Sequence, residues 1–371
     1  MISTYAPYLK KKEKNFINQC LKDNYISTAG NLISIFENEF CKKFNFRYAV
    51  ALNSGTSALH IGLKTLGVKQ NDIVILPSYT FAATANSIIY NNASPWFFDC
   101  DKNFDLCLKK LEKELSQKTY IKRKNLHLKK NNKIVRAIIP VSAFGKKIDF
   151  NKYCQFAKRY KLKVLFDTAA CHDYRIFKFK KDPLMHFCFS FNGNKTITTG
   201  AGGIFATNSL AAAKTVRTYA NVGKSETEKY NHSVVGYNYK MTNMQAGIGI
   251  GQIRNLNEIL IKKQKIFDIY NKNFKYNIKT FSDKKFVNWL FVLNLKSNFI
   301  FKKLKKHLEK SKIQLNYFWR PLHNQKPYKN FMRSGVNNTN NVWDKVAALP
   351  SHPGVTLKEQ SKIIKIIKNN I

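Results

Sequence analysis

The sequence lacks long apolar segments and any regular arrangement of cysteines. No uncharged apolar run reaches the roughly 18 residues that a membrane helix needs. Residues Met1–Tyr8 lack the basic-then-apolar order of a signal peptide. The seven cysteines include no C-x-x-C pair and no Cys/His array, which argues against both a zinc site and a disulfide framework. These absences predict a cytoplasmic protein with no bound metal and no membrane partner.

Acidic residues are also scarce. The chain has 22 Asp and Glu residues against 64 Lys and Arg residues, a formal net charge of +42. Such an excess can attract nucleic acid or anionic lipid. The lysines are nevertheless spread along the whole chain, and the densest stretch, Lys122–Lys133, is rich in Asn and has no aromatic residues interleaved for base stacking. We therefore predict a lysine-rich surface and no nucleic-acid partner, with nucleic-acid binding as the alternative.

The chain has enough hydrophobic residues for a large core. With 371 residues, 44% of them hydrophobic, it can form one large α/β domain and a smaller one. Short apolar runs predict buried strands at Tyr48–Leu52, Asp72–Leu76, Pro95–Phe98, Ile134–Ile139, Val164–Phe166, Phe187–Phe191 and Gly203–Ala206. Helical patterns lie between these runs, so we expect a mainly parallel sheet with helices on both faces.

Two helices and a change of pattern complete this outline. Leu59 and Leu63 fall on one helical face that Gly67 ends, and Tyr153–Tyr160 has the same periodicity behind a predicted Asn151 cap. After about residue 255 the pattern changes to long Lys-rich helices with a short apolar run at Phe286–Leu293. We predict a large domain of residues 1–255, with an N-terminal segment 1–25, and a smaller C-terminal α+β domain of residues 256–371.

Polar segments follow several predicted strands. They are Asn53–Thr56, Asp167 and Ser190–Lys195, and the carboxyl ends of parallel strands meet at one edge of a sheet. The segment Ser54–Ser57 opens a helix directly behind a strand, where free backbone N–H groups suit a phosphate. The alternative is ordinary helix capping by the same residues.

Asp167 and Lys195 are the candidates for chemistry. A carboxylate at the end of the apolar strand before Asp167 is costly unless it is paired. It can cap a helix over Thr168–Ala170, or it can pair with a protonated ring nitrogen, as a pyridoxal enzyme requires. Lys195 follows a buried strand among small, turn-forming residues that let a carbonyl compound approach its amine. As one lysine among many, it carries little weight by itself.

From about Ile26 to Ile367 the chain resembles the fold-type I sugar aminotransferases named for DegT, DnrJ, EryC and StrS. The matching motifs are Asn53–Leu59, Pro77–Asn86, Pro140–Gly145, Asp167–Ala170, Ser190–Lys195, Gly236–Asn243, Arg320–His323 and Leu349–Gly354. The resemblance implies pyridoxal 5′-phosphate as cofactor. It also implies that Lys195 binds the cofactor covalently and moves protons. Asp167 would pair with the pyridine N–H, and Phe81 would lie on the ring face.

The resemblance further implies the phosphate contacts and the assembly. Gly55, Thr56 and Ser190 would hold the cofactor phosphate. Asn238 would reach the phosphate of the neighbouring subunit, because members of the family build each active site across a dimer interface. The chain is therefore expected to form a homodimer with shared active sites.

The expected reaction transfers an amino group, usually from glutamate, to a nucleotide-linked keto-deoxysugar. Residues 190–199 and 236–243 are most similar to perosamine synthases and other enzymes that aminate carbon 4 of 4-keto-6-deoxy sugars. Candidate substrate contacts are His232, Arg320 and His323.

The sequence departs from the usual family pattern at Ala170, Ala201 and Lys240, where relatives carry a polar residue, Glu and Arg. These departures leave open a family member that binds the cofactor without turnover. A sugar dehydratase on the same fold is a weaker alternative, because those relatives carry His where this chain has Lys195. No helix-turn-helix or winged domain precedes the aminotransferase-like region, so a regulator built on this fold is not supported.

Overall fold

The computed structural model describes residues 1–225, 230–274, 279–280 and 285–371. The α-helices are α1 Lys11–Lys22, α2 Leu32–Phe44, α3 Gly55–Thr65, α4 Ala82–Ile89, α5 Leu108–Lys118, α6 Phe150–Arg159, α7 Leu210–Ala220, α8 Asn243–Phe274, α9 Asn298–Lys310, α10 Asn337–Val342 and α11 Leu357–Lys368. The strands are β1 Tyr48–Leu52, β2 Ile73–Pro77, β3 Ser94–Phe98, β4 Thr119–Lys122, β5 Asn125–Leu128, β6 Ile134–Ile138, β7 Lys163–Asp167, β8 His186–Ser190, β9 Gly203–Thr207, β10 Lys279–Thr280, β11 Phe291–Asn294, β12 Asn316–Tyr317, β13 Met332–Ser334 and β14 Val346–Leu349.

The larger sheet has the strand order β1-β9-β8-β7-β6-β2-β3-β13, and the β4–β5 hairpin is attached to β6. Along this order only β9 runs antiparallel to its neighbours. The predicted α/β fold with a mainly parallel sheet is therefore confirmed. All seven predicted strands are present, each within one residue of its predicted ends. The strands β4, β5 and β13 were missed because they are short and partly exposed.

Alternate residues of the strands pack into two hydrophobic cores, one on each face of the larger sheet. In β1, for example, Ala49 and Ala51 belong to one core, while Val50 and Leu52 belong to the other. Helices α2, α5, α6 and α8 cover the first core, and α3, α4 and α7 cover the second. The sheet is therefore buried on both faces, as its continuous apolar runs predict.

The predicted cap of α6 is wrong. The helix begins at Phe150, and the side chain of Asp149 caps it by accepting a hydrogen bond from the backbone N–H of Lys152. Asn151 lies in the first turn, because the buried Phe150 is itself part of the helix and packs into the core. The predicted end of α3 is confirmed, since Gly67 follows the cap with a positive φ of 78°.

The second sheet has the antiparallel order β10-β11-β14-β12. The long helix α8 runs continuously through the predicted boundary between residues 255 and 256. Strand β13 returns to the larger sheet, and near the N-terminus Ile2 pairs with Ile313 of the C-terminal region. The division of the chain at residue 255 stays a prediction. The two sheets are joined by α8 and by both ends of the chain, and this connection brings C-terminal residues to the edge of the larger sheet.

The described ranges contain neither a membrane-spanning helix nor a metal-binding cluster. None of the helices there is both long and apolar enough to cross a membrane. In the same ranges, no group of three or more His, Cys, Asp or Glu side chains is arranged to hold a metal ion.

Candidate active site

The polar segments at the carboxyl ends of β1, β7 and β8 converge on one cavity of about 320 Å³. The predicted site residues that line it are Gly55, Thr56, Phe81, Asp167, Ser190 and Lys195. These residues are far apart in sequence, but parallel strands place their carboxyl ends at one edge of the sheet. The cavity therefore contains the predicted phosphate site, ring-nitrogen partner and reactive amine together.

One end of the cavity is the start of helix α3. The Ser54 hydroxyl accepts a hydrogen bond from the backbone N–H of Ser57 (3.0 Å), so the capping interpretation of this segment holds. Capping does not use the N–H groups of Gly55 and Thr56, which have no acceptor within the helix. Gly55 packs tightly against β8, because a Cβ on it would lie 2.7 Å from Cβ of Ser190. The contact places these N–H groups and the Ser190 hydroxyl along the same cavity, an arrangement suited to a phosphate.

Gly55→Ala is expected to lower the free energy of unfolding by about 1–3 kcal/mol, because the added methyl group forces the start of α3 and the end of β8 apart. Urea unfolding measures the change. Gly193→Ala is the matched control, since its new Cβ has its nearest neighbour at 3.7 Å, an ordinary contact distance. Equal stability of the two variants would contradict the close packing at Gly55.

Asp167 lies buried at the end of β7 with both carboxylate oxygens occupied. Oδ2 accepts a hydrogen bond from Oγ1 of Thr84 (2.7 Å), and Oδ1 accepts one from the backbone N–H of Ala169 (3.1 Å). Burial raises the pKa of the carboxyl, while these two hydrogen bonds and the charge of Lys195 oppose the increase. No helix begins after the strand, where residues 169–170 form a turn, so the helix-cap alternative is wrong. The carboxylate is held in place as a partner for a cation.

Lys195 follows β8 and is partly buried. Burial lowers the pKa of its amine to about 8, while the negative charge of Asp167 opposes the shift. Nζ lies 3.9 Å from the centroid of the Trp289 ring. A lysine with a pKa near 8 has a useful neutral fraction at neutral pH, so this amine can act as a nucleophile and as a base.

The residues that close the other side of the cavity were not predicted from the sequence. Four of them are aromatic and come from the N-terminal segment and from the C-terminal region: Tyr5, Trp289, Phe318 and Trp319. Trp289 belongs to the apolar run predicted at Phe286–Leu293, but that run gives no sign of where it folds. Thr84, which holds Asp167, is part of a motif quoted for the resemblance, and its contact was also missed.

The comparisons with known proteins agree with this geometry. A model of the DegT/DnrJ/EryC1/StrS aminotransferase family matches residues 7–368. The chain belongs to this family. It is 32% identical over 335 residues to the GDP-perosamine synthase of Escherichia coli O157:H7, covering 88% of this chain and 87% of that protein. It is 27% identical over 377 residues to a UDP-4-amino-4,6-dideoxy-N-acetyl-beta-L-altrosamine transaminase of Campylobacter jejuni, covering 98% of this chain and 96% of that protein.

Solved structures show the same fold-type I architecture. A DegT DnrJ EryC1 StrS aminotransferase from Brucella abortus superposes with a TM-score of 0.86 at 24% identity, covering 96% of this chain and 95% of that one. The aminotransferase PseC from Helicobacter pylori superposes with a TM-score of 0.87 at 21% identity, covering 99% and 98%. The chain is therefore an aminotransferase of a family that depends on pyridoxal phosphate.

The cavity of this family member fits the cofactor. The helix start beside Gly55 suits the phosphate, and buried Asp167 suits a protonated pyridine nitrogen. Ser142 also lines the cavity, and its buried hydroxyl has no hydrogen-bond partner in the described part of the chain. A polar group of a bound ligand would satisfy that hydroxyl.

Thr84→Val is expected to weaken pyridoxal-phosphate binding by roughly 10–100-fold, because it removes a hydrogen bond to a buried charged group. The loss of the bond also raises the pKa of Asp167 further, so the weakening should grow as the pH falls. Absorbance titration of cofactor-free protein at several pH values measures the affinity. Thr84→Ser keeps the hydroxyl and is expected to bind nearly as well as the natural protein. Equal affinity of the Val and Ser variants would contradict the role of Thr84.

Two predicted contacts, Asn238 and His232, do not line the cavity. Asn238 is exposed, and its carbonyl accepts a hydrogen bond from Nδ2 of Asn53 (3.3 Å), next to the start of α3. His232 is exposed on the same loop region and donates through Nδ1 to the carbonyl of Val222 (3.0 Å). Their roles towards a second subunit and a substrate stay predictions.

The two predicted contacts from the C-terminal region are also outside the cavity lining. Arg320 is exposed. His323 is buried, with Nδ1 hydrogen-bonded to the hydroxyl of Ser78 (2.6 Å), and so it supports the loop that leads to Phe81. Their contacts with the sugar nucleotide stay predictions.

The departures from the family pattern have different surroundings. Ala170 and Ala201 line the cavity and leave it without two polar side chains. Lys240 is partly buried beside β1, where its backbone pairs with Leu52, and burial lowers the pKa of its amine. The two alanines therefore change the cavity wall itself, while Lys240 lies outside the cavity lining, beside the end of β1.

Proposed function

We propose that this enzyme transfers the amino group of glutamate to carbon 4 of a nucleotide-linked 4-keto-6-deoxysugar, for the biosynthesis of a cell-surface polysaccharide. The observation that carries the proposal is the meeting of Lys195, Asp167 and the start of α3 in one cavity of a family aminotransferase. The names of two relatives support the sugar and the position. One is a GDP-perosamine synthase, and the other is named as the transaminase of a UDP-linked 4-amino-4,6-dideoxy sugar.

Each part of the cavity has a distinct task in this proposal. Bound pyridoxal phosphate supplies an electron sink for the bond-breaking step. Lys195 would bind the cofactor and then move a proton at Nζ in both halves of the reaction, acting in each half first as base and then as acid. The negative charge of Asp167 would keep the ring nitrogen protonated. Thr84 orients this carboxylate by donating a hydrogen bond to Oδ2. The N–H groups of Gly55 and Thr56 hold the phosphate together with Ser190.

The walls of the cavity orient the substrate and exclude water. Phe81, at the start of α4, is 61% exposed in the single chain and can cover one face of the cofactor ring. The aromatic side of the cavity, formed by Tyr5, Trp289, Phe318 and Trp319, suits the apolar face of a hexose. We assign His232, Arg320 and His323 to the sugar nucleotide or to positioning its binding loops.

The proposal includes a homodimer with shared active sites. Tyr230 and Val235 are 87% and 89% exposed on the segment that leads to Asn238. Large apolar side chains at such a position support burial by a second subunit. Asn238 of that segment would then contact the phosphate bound by the partner. Cytoplasmic location is supported by the seven cysteines, all of which are free.

A substrate panel tests the proposed reaction. Enzyme with pyridoxal phosphate is incubated with ¹⁵N-labelled glutamate and with GDP-, UDP- or dTDP-linked 4-keto-6-deoxyhexoses, and the 3-keto isomers serve as controls. We expect an amino sugar carrying the label, detected by mass spectrometry, from a 4-keto substrate only. A product from the 3-keto isomers would overturn the assignment to carbon 4, and labelled aspartate or alanine in place of glutamate would identify another donor.

A cofactor-binding protein without turnover is the second candidate function. It is favoured by Ala170 and Ala201, which remove polar side chains from the cavity wall. Such a protein would bind pyridoxal phosphate and yet show no change in its visible absorbance on addition of glutamate. A sugar dehydratase is disfavoured by the lysine at position 195.

A further inference from the structure

The indole of Trp289 covers the amine of Lys195. Nζ lies 3.9 Å from the centroid of the ring, within the range where a ring face attracts an ammonium group. The indole is itself held firmly. Its Nε1–H donates to the carbonyl of Asn194 (2.6 Å), and its backbone N–H donates to the carbonyl of Phe144 (2.8 Å). The tryptophan is thus attached both to the residue before Lys195 and to a loop of the larger sheet.

A second, fully buried lysine anchors Trp289 from behind. Nζ of Lys263, on α8, donates to the carbonyls of Trp289 (2.9 Å) and Ser351 (2.8 Å). Within the described residues it forms no ion pair with a carboxylate, and burial lowers the pKa of its amine to about 7. An amine in such surroundings is costly to bury. The Lys263 amine fixes the backbone of Trp289, just before β11, to helix α8. The indole therefore keeps its place over the site.

We propose that Trp289 is a positioning residue for Lys195, whose ring face holds the amine at the cavity wall and favours its protonated form. The inference rests on the proposed role of Lys195 as the reacting amine. A ring quadrupole attracts an ammonium group more strongly than a neutral amine, so the indole opposes the effect of burial on Lys195. The tryptophan therefore acts through Lys195.

In addition to the indole, which does not titrate, several titratable groups surround the Lys195 amine. Asp167 faces it across the cavity and favours its protonated form. His172 is buried nearby, and its own pKa is lowered by burial and by the charge of Lys195. Lys263 and His352 lie around a small cavity that also touches Lys195 and Trp289. All of these remain in place when only Trp289 is changed, so a comparison of Trp289 variants isolates the ring.

The test measures the pKa of Lys195 in full-length protein freed of cofactor. Trp289→Phe and Trp289→Leu both lose volume and the indole N–H, but only Phe keeps an aromatic face. The rate of acetylation of Lys195 by acetic anhydride, followed by peptide mass spectrometry across pH, gives the pKa. We expect a pKa about 0.5–1 unit lower in the Leu variant than in the Phe variant. Equal values would overturn the inference.

Phe318→Leu is the matched control. Phe318 lines the same cavity and packs edge-on against Trp289, with ring centroids 5.7 Å apart. Its replacement is expected to leave the pKa of Lys195 unchanged. A decrease as large as that in the Trp289→Leu variant would show a general effect of the cavity wall instead. If the Leu variant does not fold, Trp289→Phe is compared with the natural protein. A lower pKa is then expected, because benzene attracts a cation less strongly than indole does.

The loaded enzyme provides a second readout. In the Leu variant we expect kcat to fall while KM for glutamate stays nearly constant, with partial recovery in the Phe variant. A change in KM alone would indicate a substrate contact and would overturn the positioning role. Failure of the proposed function is separate, because it would appear as absence of amino-sugar product in the natural protein, whatever the pKa comparison gives.

Discussion

Lys195→Ala is expected to lower amino-sugar formation by about 10⁴-fold or more, because the variant lacks both the amine that binds the cofactor and the group that moves the proton. The described part of the chain provides no second amine in the cavity lining. In the described residues, Lys195 is the lysine that lines the cavity, and Lys263 lies behind Trp289 with its amine on two backbone carbonyls. Steady-state kcat with glutamate and the accepted keto sugar measures the loss. Lys152→Ala, on the exposed surface of α6, is the control and should leave kcat unchanged.

The same variant tests the covalent attachment of the cofactor. Purified natural protein should be yellow, and treatment with borohydride should add the mass of reduced cofactor to the peptide that contains Lys195. No such mass should be found on any peptide of the Lys195→Ala protein. A variant that keeps a few per cent of the activity, or a label on another lysine, would contradict the assignment of Lys195.

Asp167→Asn is expected to have the next largest effect, a fall in kcat/KM of roughly 10²–10³-fold, because a neutral amide cannot stabilise a positive charge on the ring nitrogen in a buried site. The substitution keeps the size of the side chain. It also leaves Thr84 and the backbone N–H of Ala169 within hydrogen-bonding reach. Asp149→Asn is the matched control. Asp149 caps α6 at the surface, and Asn caps a helix as well as Asp does. The activity of this variant should therefore be unchanged.

The pH profile gives an independent check on Asp167. Burial raises the pKa of this carboxyl, and the proposed role needs its ionised form. Activity of the natural enzyme should therefore fall as the pH decreases through that pKa. The Asn variant has no carboxyl to titrate at this position, so its residual activity should lack this acidic decrease. An unchanged acidic limb in the variant would assign the titration to another group.

Much of the fold could be predicted because its signals are local. The seven strands from Tyr48 to Ala206 are continuous apolar runs of a few residues, and a parallel sheet buried on both faces produces such runs. The same logic placed Gly55, Asp167 and Lys195 at one edge, because each follows a strand and parallel strands end together. The short strands β4, β5 and β13 have no such pattern and were missed.

The sequence by itself determined the α/β fold, the family and the meeting of Asp167 and Lys195, since these depend on periodicity, strand polarity and local motifs. Only the tertiary structure decided what surrounds them. Trp289 bonds to Asn194 across 95 residues of chain, and Lys263 reaches Trp289 and Ser351 from the middle of a long helix. Such contacts depend on the path of the whole chain. They also depend on which polar side chains are buried away from water and so need a partner inside the protein. No short segment of the sequence carries that information.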